Sequence, residues 1–403
     1  MNKHMPYDLA QMQSLPLEAK ILMTKRRIRA WYEYWEGLVY TSLSGGIDST
    51  VMKHIIDSMY DDVPSMFSNT GLEYPEIQRF VKDIKAGKWA CFNSDVTIVR
   101  PEMRFDEVLK KHGYPVISKH VSQVIDKARK SLEIGGNGGI RLQMIEGCFV
   151  DPKTGKLSQY NIPQYKYLFE SDIPISAVCC DVMKKLPAHK YESETGRKPF
   201  IGTMADESRN RKRVWEKYGC NAYEKENPSS QPLSFWTKQD ILHYIKKYDV
   251  PYCPVYGDIQ VKPPEGTEEG QINVIDYLGC YEPEDTLETT GCDRTGCIFC
   301  MFGITQDGCP NRFQRLKETH PRQYEYCIGG GEFVTKAYVK TSSEWREFEF
   351  IDEDGKPLTP EQIEKFIETH ENDPDYRFDR KWQPTKEGLG LGKVLDYIGV
   401  NYE

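Results

Sequence analysis

The stretch LVYTSLSGGIDST, residues 38–50, decides the fold. Its largely apolar first part, residues 38–43, predicts a buried strand, and the paired Gly45 and Gly46 predict a sharp turn. Apolar residues at helical spacing then predict a helix over residues 49–60. A glycine turn between a strand and a helix is typical of an anion-binding backbone, because glycines allow close approach and the first helical N–H groups lack intrahelical partners.

A helix is expected before this stretch, and strands and helices alternate after it. Further strands are expected at residues 63–67, 96–99 and 199–203. Helices are expected at residues 15–36, 74–85, 105–112, 119–131, 207–217 and 236–248. This alternation predicts an α/β fold, with a parallel sheet covered by helices on both sides.

The remaining sequence divides the chain into three regions. We expect an N-terminal helical segment over residues 1–36 and a nucleotide-binding domain over 37–257. A glycine-rich hairpin insertion interrupts that domain near residues 132–163. A cysteine-rich, metal-binding region and a tail follow over 258–403, beginning with a loop at 258–290, and the GLGLGK stretch at 388–393 is interpreted as a flexible loop.

Composition excludes several classes of protein. The 403 residues carry 53 Lys and Arg against 61 Asp and Glu, a net charge of −8, so a globally basic nucleic-acid binder is excluded, although a local basic patch is not. No run of 18 apolar residues and no apolar N-terminal segment occur, so we expect a cytoplasmic protein without a membrane span. In that reducing compartment the 12 cysteines are expected to be free, metal-binding or catalytic.

Individual residues of the glycine turn suggest distinct roles. Ser44 and Ser49 can add hydroxyl donors to the backbone N–H groups of the turn. Asp48 would repel a bare phosphate, so we expect it to hold a magnesium ion or to tie the loop together. No Gly-Lys-Ser/Thr sequence follows, which excludes a Walker-type loop at this position.

These residues resemble those of a known superfamily. SGGIDS, residues 44–49, is similar to the SGGxDS loop of the PP-loop ATP pyrophosphatases, which implies an adenine nucleotide alpha hydrolase-like version of the Rossmann-like fold. NTGLEYPE (69–76) and GTMADESR (202–209) resemble the corresponding segments of the sulfonucleotide (PAPS/APS) reductase branch, and PLSFW (232–236) and YGD (256–258) resemble later ones. The arrangement resembles that of phage-type PAPS reductase-like proteins and DNA phosphorothioation sulfurtransferases.

The resemblance implies a set of site residues and cofactors. ATP and Mg²⁺ are the implied cofactors, with Asp48, Ser44 and Cys180 as the implied catalytic residues. The implied nucleotide contacts are Ser42, Ser44, Gly45, Gly46, Asp48, Ser49, Asn69, Thr70, Gly71, Gly202, Glu207 and Arg209. The basic residues Arg209, Arg211 and Arg213 contact phosphate or nucleic acid, or else form a solvated helix face.

The cysteines Cys292, Cys297 and Cys300 have spacing suited to a metal or a cluster. The fourth ligand is either Cys309, in the same segment, or one of the adjacent Cys179 and Cys180. The second arrangement resembles the iron–sulfur APS reductases, which implies a [4Fe–4S] cluster on Cys180, Cys292, Cys297 and Cys300. All-thiolate ligation also fits Zn²⁺, which stays open as the alternative.

Two departures from the reductases separate the functional hypotheses. Met204 replaces an arginine of the anion-binding segment, and no cysteine follows Cys327, whereas the reductases use a C-terminal cysteine. The leading hypothesis is therefore an ATP-dependent sulfurtransferase that adenylates an acceptor, such as tRNA or DNA, before a sulfur donor replaces the adenylate. The alternatives are a sulfonucleotide reductase with a thiol reductant, and a non-catalytic nucleotide-gated module of a phage or defence system; a homodimer is left open.

Overall fold

The computed structural model describes residues 4–262, 285–341 and 344–403. Contacts divide the chain into two compact units, each built from two separate segments. The first unit comprises Met1–Glu102 and Asp181–Ile298, and the second comprises Met103–Cys180 and Phe299–Glu403. The predicted domain at 37–257 thus contributes its middle part to the second unit.

The secondary structure follows in chain order. The strands are β1 (Val39–Ser42), β2 (Ser65–Ser68), β3 (Val96–Val99), β4 (Val116–Ile117), β5 (Lys198–Ile201), β6 (Asn221–Ala222), β7 (Ser229–Ser230), β8 (Ile259–Val261), β9 (Leu287–Thr289), β10 (Met301–Phe302), β11 (Glu332–Thr341), β12 (Glu344–Phe348) and β13 (Tyr376–Gln383). The helices are α1 (Pro6–Gln13), α2 (Leu17–Tyr34), α3 (Ile47–Asp57), α4 (Pro75–Lys85), α5 (Phe105–His112), α6 (Lys119–Glu133), α7 (Gly139–Glu146), α8 (Lys166–Phe169), α9 (Leu186–Thr195), α10 (Arg209–Tyr218), α11 (Lys238–Tyr248), α12 (Arg312–Thr319), α13 (Pro321–Ile328), α14 (Pro360–His370) and α15 (Leu391–Tyr397).

The first unit is built on a six-stranded sheet with the order β3-β2-β1-β5-β7-β6. Every pairing is parallel except that of the edge strand β6 with β7. The predicted α/β fold with a mainly parallel sheet is therefore confirmed. Because β2 and β5 lie on opposite sides of β1, the carboxyl end of β1 is a topological switch point, where such sheets bind ligands.

Helix α3 is the most deeply buried element behind that switch point. Val51, Met52 and Ile55 are completely buried and join α2 and α11 in one hydrophobic core. Lys53 is also completely buried, and its Nζ lies 2.9 Å from an Asp57 carboxylate oxygen and 2.9 Å from Ser65 Oγ. The ion pair and hydrogen bond compensate the ammonium group for the loss of water, which lets the helix pack directly on the sheet.

The second unit departs furthest from the sequence-based expectations. The segment predicted as a hairpin at 132–163 contains helix α7, and its only strand-like pairing is a single bridge between Val150 and Leu157. The predicted tail contains an antiparallel sheet of order β12-β11-β13. Within the predicted loop at 258–290, the described ends pair as β8 and β9, and residues 263–284 lie outside the described residues.

The expectation of a flexible loop at 388–393 is wrong. An added Cβ at Gly388 would lie 2.2 Å from the carbonyl oxygen of Gly329, so the two chain segments are in close backbone contact. Leu389 and Leu391 are buried, and α15 begins at Leu391. The glycines here allow close packing. None of the helices described above combines the length and apolar composition needed to cross a bilayer.

Candidate functional site

The turn after β1 has a backbone that demands glycine. Gly45 has a φ of +75°, and an added Cβ would lie 2.8 Å from the Ile77 Cγ2 atom. Gly46 is the residue before the first turn of α3, so the helix begins immediately behind the bend. The predicted strand, turn and helix are therefore confirmed as consecutive elements, with the first helical N–H groups facing the switch point.

The hydroxyl groups of the turn stabilise the turn itself. The Ser44 N–H donates to Ser49 Oγ at 3.1 Å, and Ser49 Oγ in turn donates to the carbonyl oxygen of Gly46 at 3.0 Å. The Ile47 N–H donates to the Tyr256 hydroxyl at 3.3 Å. Among the described residues, no acceptor contacts the N–H groups of Gly45, Asp48 or Ser49. These three donors are available to an anion.

The carboxyl end of β5 approaches the same turn. An added Cβ on Gly202 would lie 2.9 Å from Ser49 Cα and 3.1 Å from the Asp48 carbonyl oxygen. Backbone packing at this distance leaves no room for a side chain. Gly202 is therefore required because two backbone segments meet here, and it places the 202–209 segment beside the glycine turn.

A cavity of about 420 Å³ opens between these two segments, wholly within the first unit. Seven of the predicted residues line it: Ser42, Ser44, Gly46, Asp48, Ser49, Gly202 and Glu207. Arg211, which the sequence analysis offered as a phosphate or nucleic-acid contact, also lines it. So do residues that the sequence analysis did not assign to the site, including Lys238, Tyr256, Arg294 and Thr295. The volume lies in the range of small-molecule binding sites.

Three cations surround the one acid of the turn. Burial raises the pKa of Asp48 to about 6, although Arg294, Arg211 and Lys238 each act to lower it. Burial also lowers the pKa of both Arg211 and Lys238. The cavity therefore holds positive charge in a partly desolvated environment, which is suited to an anion with several charges.

Glu207 positions two of these cations. Its carboxylate forms an ion pair with Arg211, and its other oxygen lies 3.6 Å from a guanidinium nitrogen of Arg294. Arg209, which the resemblance implied as a contact, is exposed at the start of α10 and is not among the residues lining the cavity. Met204 also lines the cavity, and the positive charge there comes from Arg211, Lys238 and Arg294.

The segment Asn69–Gly71 forms a separate turn that satisfies its own hydrogen bonds. The Thr70 hydroxyl donates to Glu73 Oε1 at 2.6 Å, and the Gly71 N–H donates to Asn69 Oδ1 at 3.1 Å. The predicted Asn69, Thr70 and Gly71 do not line the large cavity. Glu73 instead lines a smaller cavity of about 140 Å³, which shares Ser42, Ser44 and Thr295 with the large one.

The cysteines proposed as ligands are divided between the two units. Cys292 and Cys297 belong to the first unit, whereas Cys180 and Cys300 belong to the second, as do Cys179 and Cys309. The Cys292 thiol donates to the Arg294 carbonyl oxygen at 2.8 Å. Within the described ranges, no group of three or more His, Cys, Asp or Glu residues is arranged to hold a metal ion. The [4Fe–4S] cluster and its Zn²⁺ alternative stay predictions.

The residues that the sequence analysis missed come from distant parts of the chain. Lys238 is the first residue of α11, and Arg294 and Thr295 lie between two of the clustered cysteines. Tyr256 belongs to the YGD segment, and its hydroxyl lies 2.7 Å from Thr295 Oγ1. Only Tyr256 could have been found from the sequence, because it lies in a segment that resembles the reductases. The residues around a single lysine or arginine do not show whether it binds a ligand.

The glycine turn, the parallel sheet and the basic cavity at its switch point define a protein of the PP-loop class. A model of the phosphoadenosine phosphosulfate reductase domain matches residues 38–135 and 150–301, which is more than half of the chain. The chain belongs to this family.

Two further comparisons add little. A crystal structure of the phosphoadenylyl-sulfate (PAPS) reductase from Candida auris, a phosphate complex, matches with a TM-score of 0.33 and 15% sequence identity. The match covers 57% of this chain and 82% of that one. No curated protein matches the sequence.

Proposed function

We propose that this chain is an ATP-dependent enzyme that adenylates an acceptor hydroxyl or carbonyl oxygen and thereby prepares it for replacement by sulfur. One observation carries the proposal. Asp48 and Ser49, whose N–H groups meet no acceptor among the described residues, line one cavity of about 420 Å³ together with the cations Arg211, Lys238 and Arg294. A triphosphate is the ligand whose charge and size suit this arrangement.

The proposed reaction has two steps. The acceptor oxygen attacks the α-phosphorus of ATP, the bond to the β-phosphate oxygen breaks, and pyrophosphate leaves with the negative charge. The N–H groups of Gly45, Asp48 and Ser49 and the three cations stabilise that charge as it develops. Hydrosulfide, or a donor of equivalent chemistry, then attacks the activated carbon and displaces AMP, so that a carbon–sulfur bond replaces the carbon–oxygen bond without net oxidation or reduction.

Asp48 would hold magnesium in this proposal. Its carboxylate and the neighbouring serine hydroxyls are oxygen ligands of the kind that Mg²⁺ prefers. The bound ion neutralises phosphate charge. A nearby divalent cation would also keep the Asp48 carboxylate ionised, against the effect of burial on its pKa.

The iron–sulfur cluster is a second part of the proposal. Four thiolates from Cys180, Cys292, Cys297 and Cys300 are the donor set that such clusters use. The test is iron and sulfide content after anaerobic purification, together with absorption near 400 nm. Zinc at one equivalent, with no iron, would replace the cluster by the structural alternative.

The family match favours sulfonucleotide reduction as a second candidate function. The same cavity would then hold the phosphosulfate of APS or PAPS. A reductase of this kind needs a thiolate that reaches the sulfur atom. Cys327 does not supply it, because this residue is completely buried and burial raises its pKa well above the usual value. Sulfite release from APS or PAPS would establish this function.

Acceptor-dependent pyrophosphate release from ATP tests the proposal, with tRNA, DNA, APS and PAPS as separate additions. We expect Asp48→Ala to lower the release rate at least a hundredfold, because the carboxylate that holds the magnesium is lost. Asp61→Ala, which removes an exposed carboxylate outside the cavity, is the matched control and should keep the wild-type rate. Equal rates for the two variants, or ATP binding without turnover under every condition, would refute the proposed chemistry.

A further inference from the structure

A basic groove follows helices α6 and α7 in the second unit. It consists of two adjoining cavities of about 360 and 370 Å³, and Lys127 of α6 and Arg141 of α7 line both of them. Both residues are exposed to solvent. The groove lies entirely within residues 120–149, so the second unit alone provides it.

In the described part of the chain, no acid neutralises the two cations of the groove. Among the described residues, Lys127 and Arg141 form no ion pair, and no carboxylate lines either cavity. Neighbouring cations on the same helix behave differently. Lys130 pairs with Asp126 at 2.8 Å, and the Arg129 guanidinium donates to the carbonyl oxygens of Leu168 and other nearby residues. The groove is therefore locally positive, although the whole chain has a net charge of −8.

The first cavity has an apolar floor. Val124, Ile140, Met144 and Phe149 line it, together with the polar residues His120 and Gln123. The aromatic ring of Phe149 and the thioether of Met144 provide a surface on which a flat heteroaromatic ring can stack. Such a floor beside free cations suits a ligand that is both aromatic and anionic.

The second cavity is polar and shares Lys127 and Arg141 with the first. Ser131 and Asn137 line it together with Gly138 and Gly139, at the start of α7. Small residues and hydroxyl and amide groups there leave room for a tetrahedral anion between Lys127 and Arg141. The two cavities thus offer one subsite for an aromatic group and one for an anion, and the two cations line both.

We propose that the α6–α7 groove binds single-stranded nucleic acid, with a base on the Phe149 floor and the adjoining phosphate between Lys127 and Arg141. A single strand is specified because a base can enter the apolar cavity only when it is unstacked. This inference rests on the proposed function and names its acceptor class: a nucleic acid with an unpaired segment.

The test measures binding of fluorescein-labelled 20-nucleotide single strands of DNA and RNA to the full-length protein by anisotropy, without ATP, at several salt concentrations. Lys127→Ala and Arg141→Ala should each weaken binding and flatten the slope of log affinity against log salt by about 0.7, as expected for one lost phosphate contact. Phe149→Ala should weaken binding about tenfold and leave that slope unchanged, because stacking is uncharged. Lys130→Ala, on the same helix but outside the groove, is the matched control.

Each outcome decides the inference. Unchanged affinity and salt slope in Lys127→Ala and Arg141→Ala would overturn it, as would equal displacement of the strand by a polyglutamate peptide, which would show that the groove responds to charge alone. Tighter binding of a duplex than of a single strand would also overturn it. Asp48→Ala should bind the strand as the wild type does, so a failure of pyrophosphate release would be separable from a failure of strand binding.

Discussion

Asp48→Asn is expected to stabilise the protein at neutral pH while it removes activity. Burial raises the pKa of Asp48 to about 6 from an ordinary value of 3.8. The folded protein therefore retains a proton on this carboxyl between pH 3.8 and 6 that the unfolded chain has released, and its stability falls across that window as the pH rises. Asparagine resembles the protonated form and cannot ionise, so the variant escapes this loss.

The magnitude follows from the two pKa values. Each tenfold difference in the acid dissociation constant corresponds to about 1.4 kcal/mol, so the free energy of unfolding of the variant should gain about 2.4 kcal/mol on the wild type between pH 4 and pH 8. The comparison cancels every other titrating group that the two proteins share. Magnesium and nucleotide must be absent, because either would bind the native state and shift its stability.

Urea unfolding followed by tryptophan fluorescence measures this difference at half-unit pH intervals in EDTA. Trp31, Trp215 and Trp236 are completely buried in the first unit and report on its unfolding. Asp61→Asn, an exposed position, serves as the control and should run parallel to the wild type. If Asp48→Asn also runs parallel, or is the less stable protein at pH 8, then burial does not control this carboxyl and the electrostatic description of the cavity is wrong.

Two further substitutions test the packing around the site. Gly202→Ala should lower ATP affinity by about fivefold to a hundredfold in a calorimetric titration, because the added Cβ would displace the backbone of Ser49 and overpacking costs about 1–3 kcal/mol. The control is Gly308→Ala, which adds a methyl group in open space and should leave ATP affinity unchanged. Lys53→Met should lower the free energy of unfolding at pH 8 by about 3–5 kcal/mol, since it leaves Asp57 buried without its partner, and the double variant Lys53→Met/Asp57→Leu should recover most of that loss in urea unfolding. No recovery in the double variant would contradict this account, as would equal ATP affinities for the two alanine variants.

Local patterns in the sequence predicted the centre of the first unit well. The strand, glycine turn and helix around Gly45 are encoded by neighbouring residues, and each needs only its own neighbourhood to be recognised. The cations of the cavity could not be predicted in this way. Lys238 and Arg294 lie 56 residues apart and come together through the fold, and nothing in either neighbourhood distinguishes them from surface charge.

The antiparallel sheet of the second unit escaped prediction for a different reason. In β11 only Ala337 is fully buried, and the charged residues Glu332, Lys336 and Lys340 recur every four residues among partly exposed apolar residues and threonines. A strand with so little buried surface lacks the strong apolar pattern on which a prediction depends. The glycines near Gly388 were interpreted as a flexible loop, but they lie in close backbone contact with another segment. Glycine is compatible with both, because it lacks a side chain.

The interleaved order of the two units has a consequence for synthesis on the ribosome. Strand β1 ends at Ser42, but its neighbour β5 begins only at Lys198, after the chain has left the first unit and returned to it. At about 5–20 residues per second, this central strand waits roughly 8–30 seconds with one edge unprotected. During this time the nascent protein is partly folded, and the exposed edge of β1 can pair with a strand of another polypeptide. The yield of folded protein should therefore depend on the rate of translation and on the supply of chaperones.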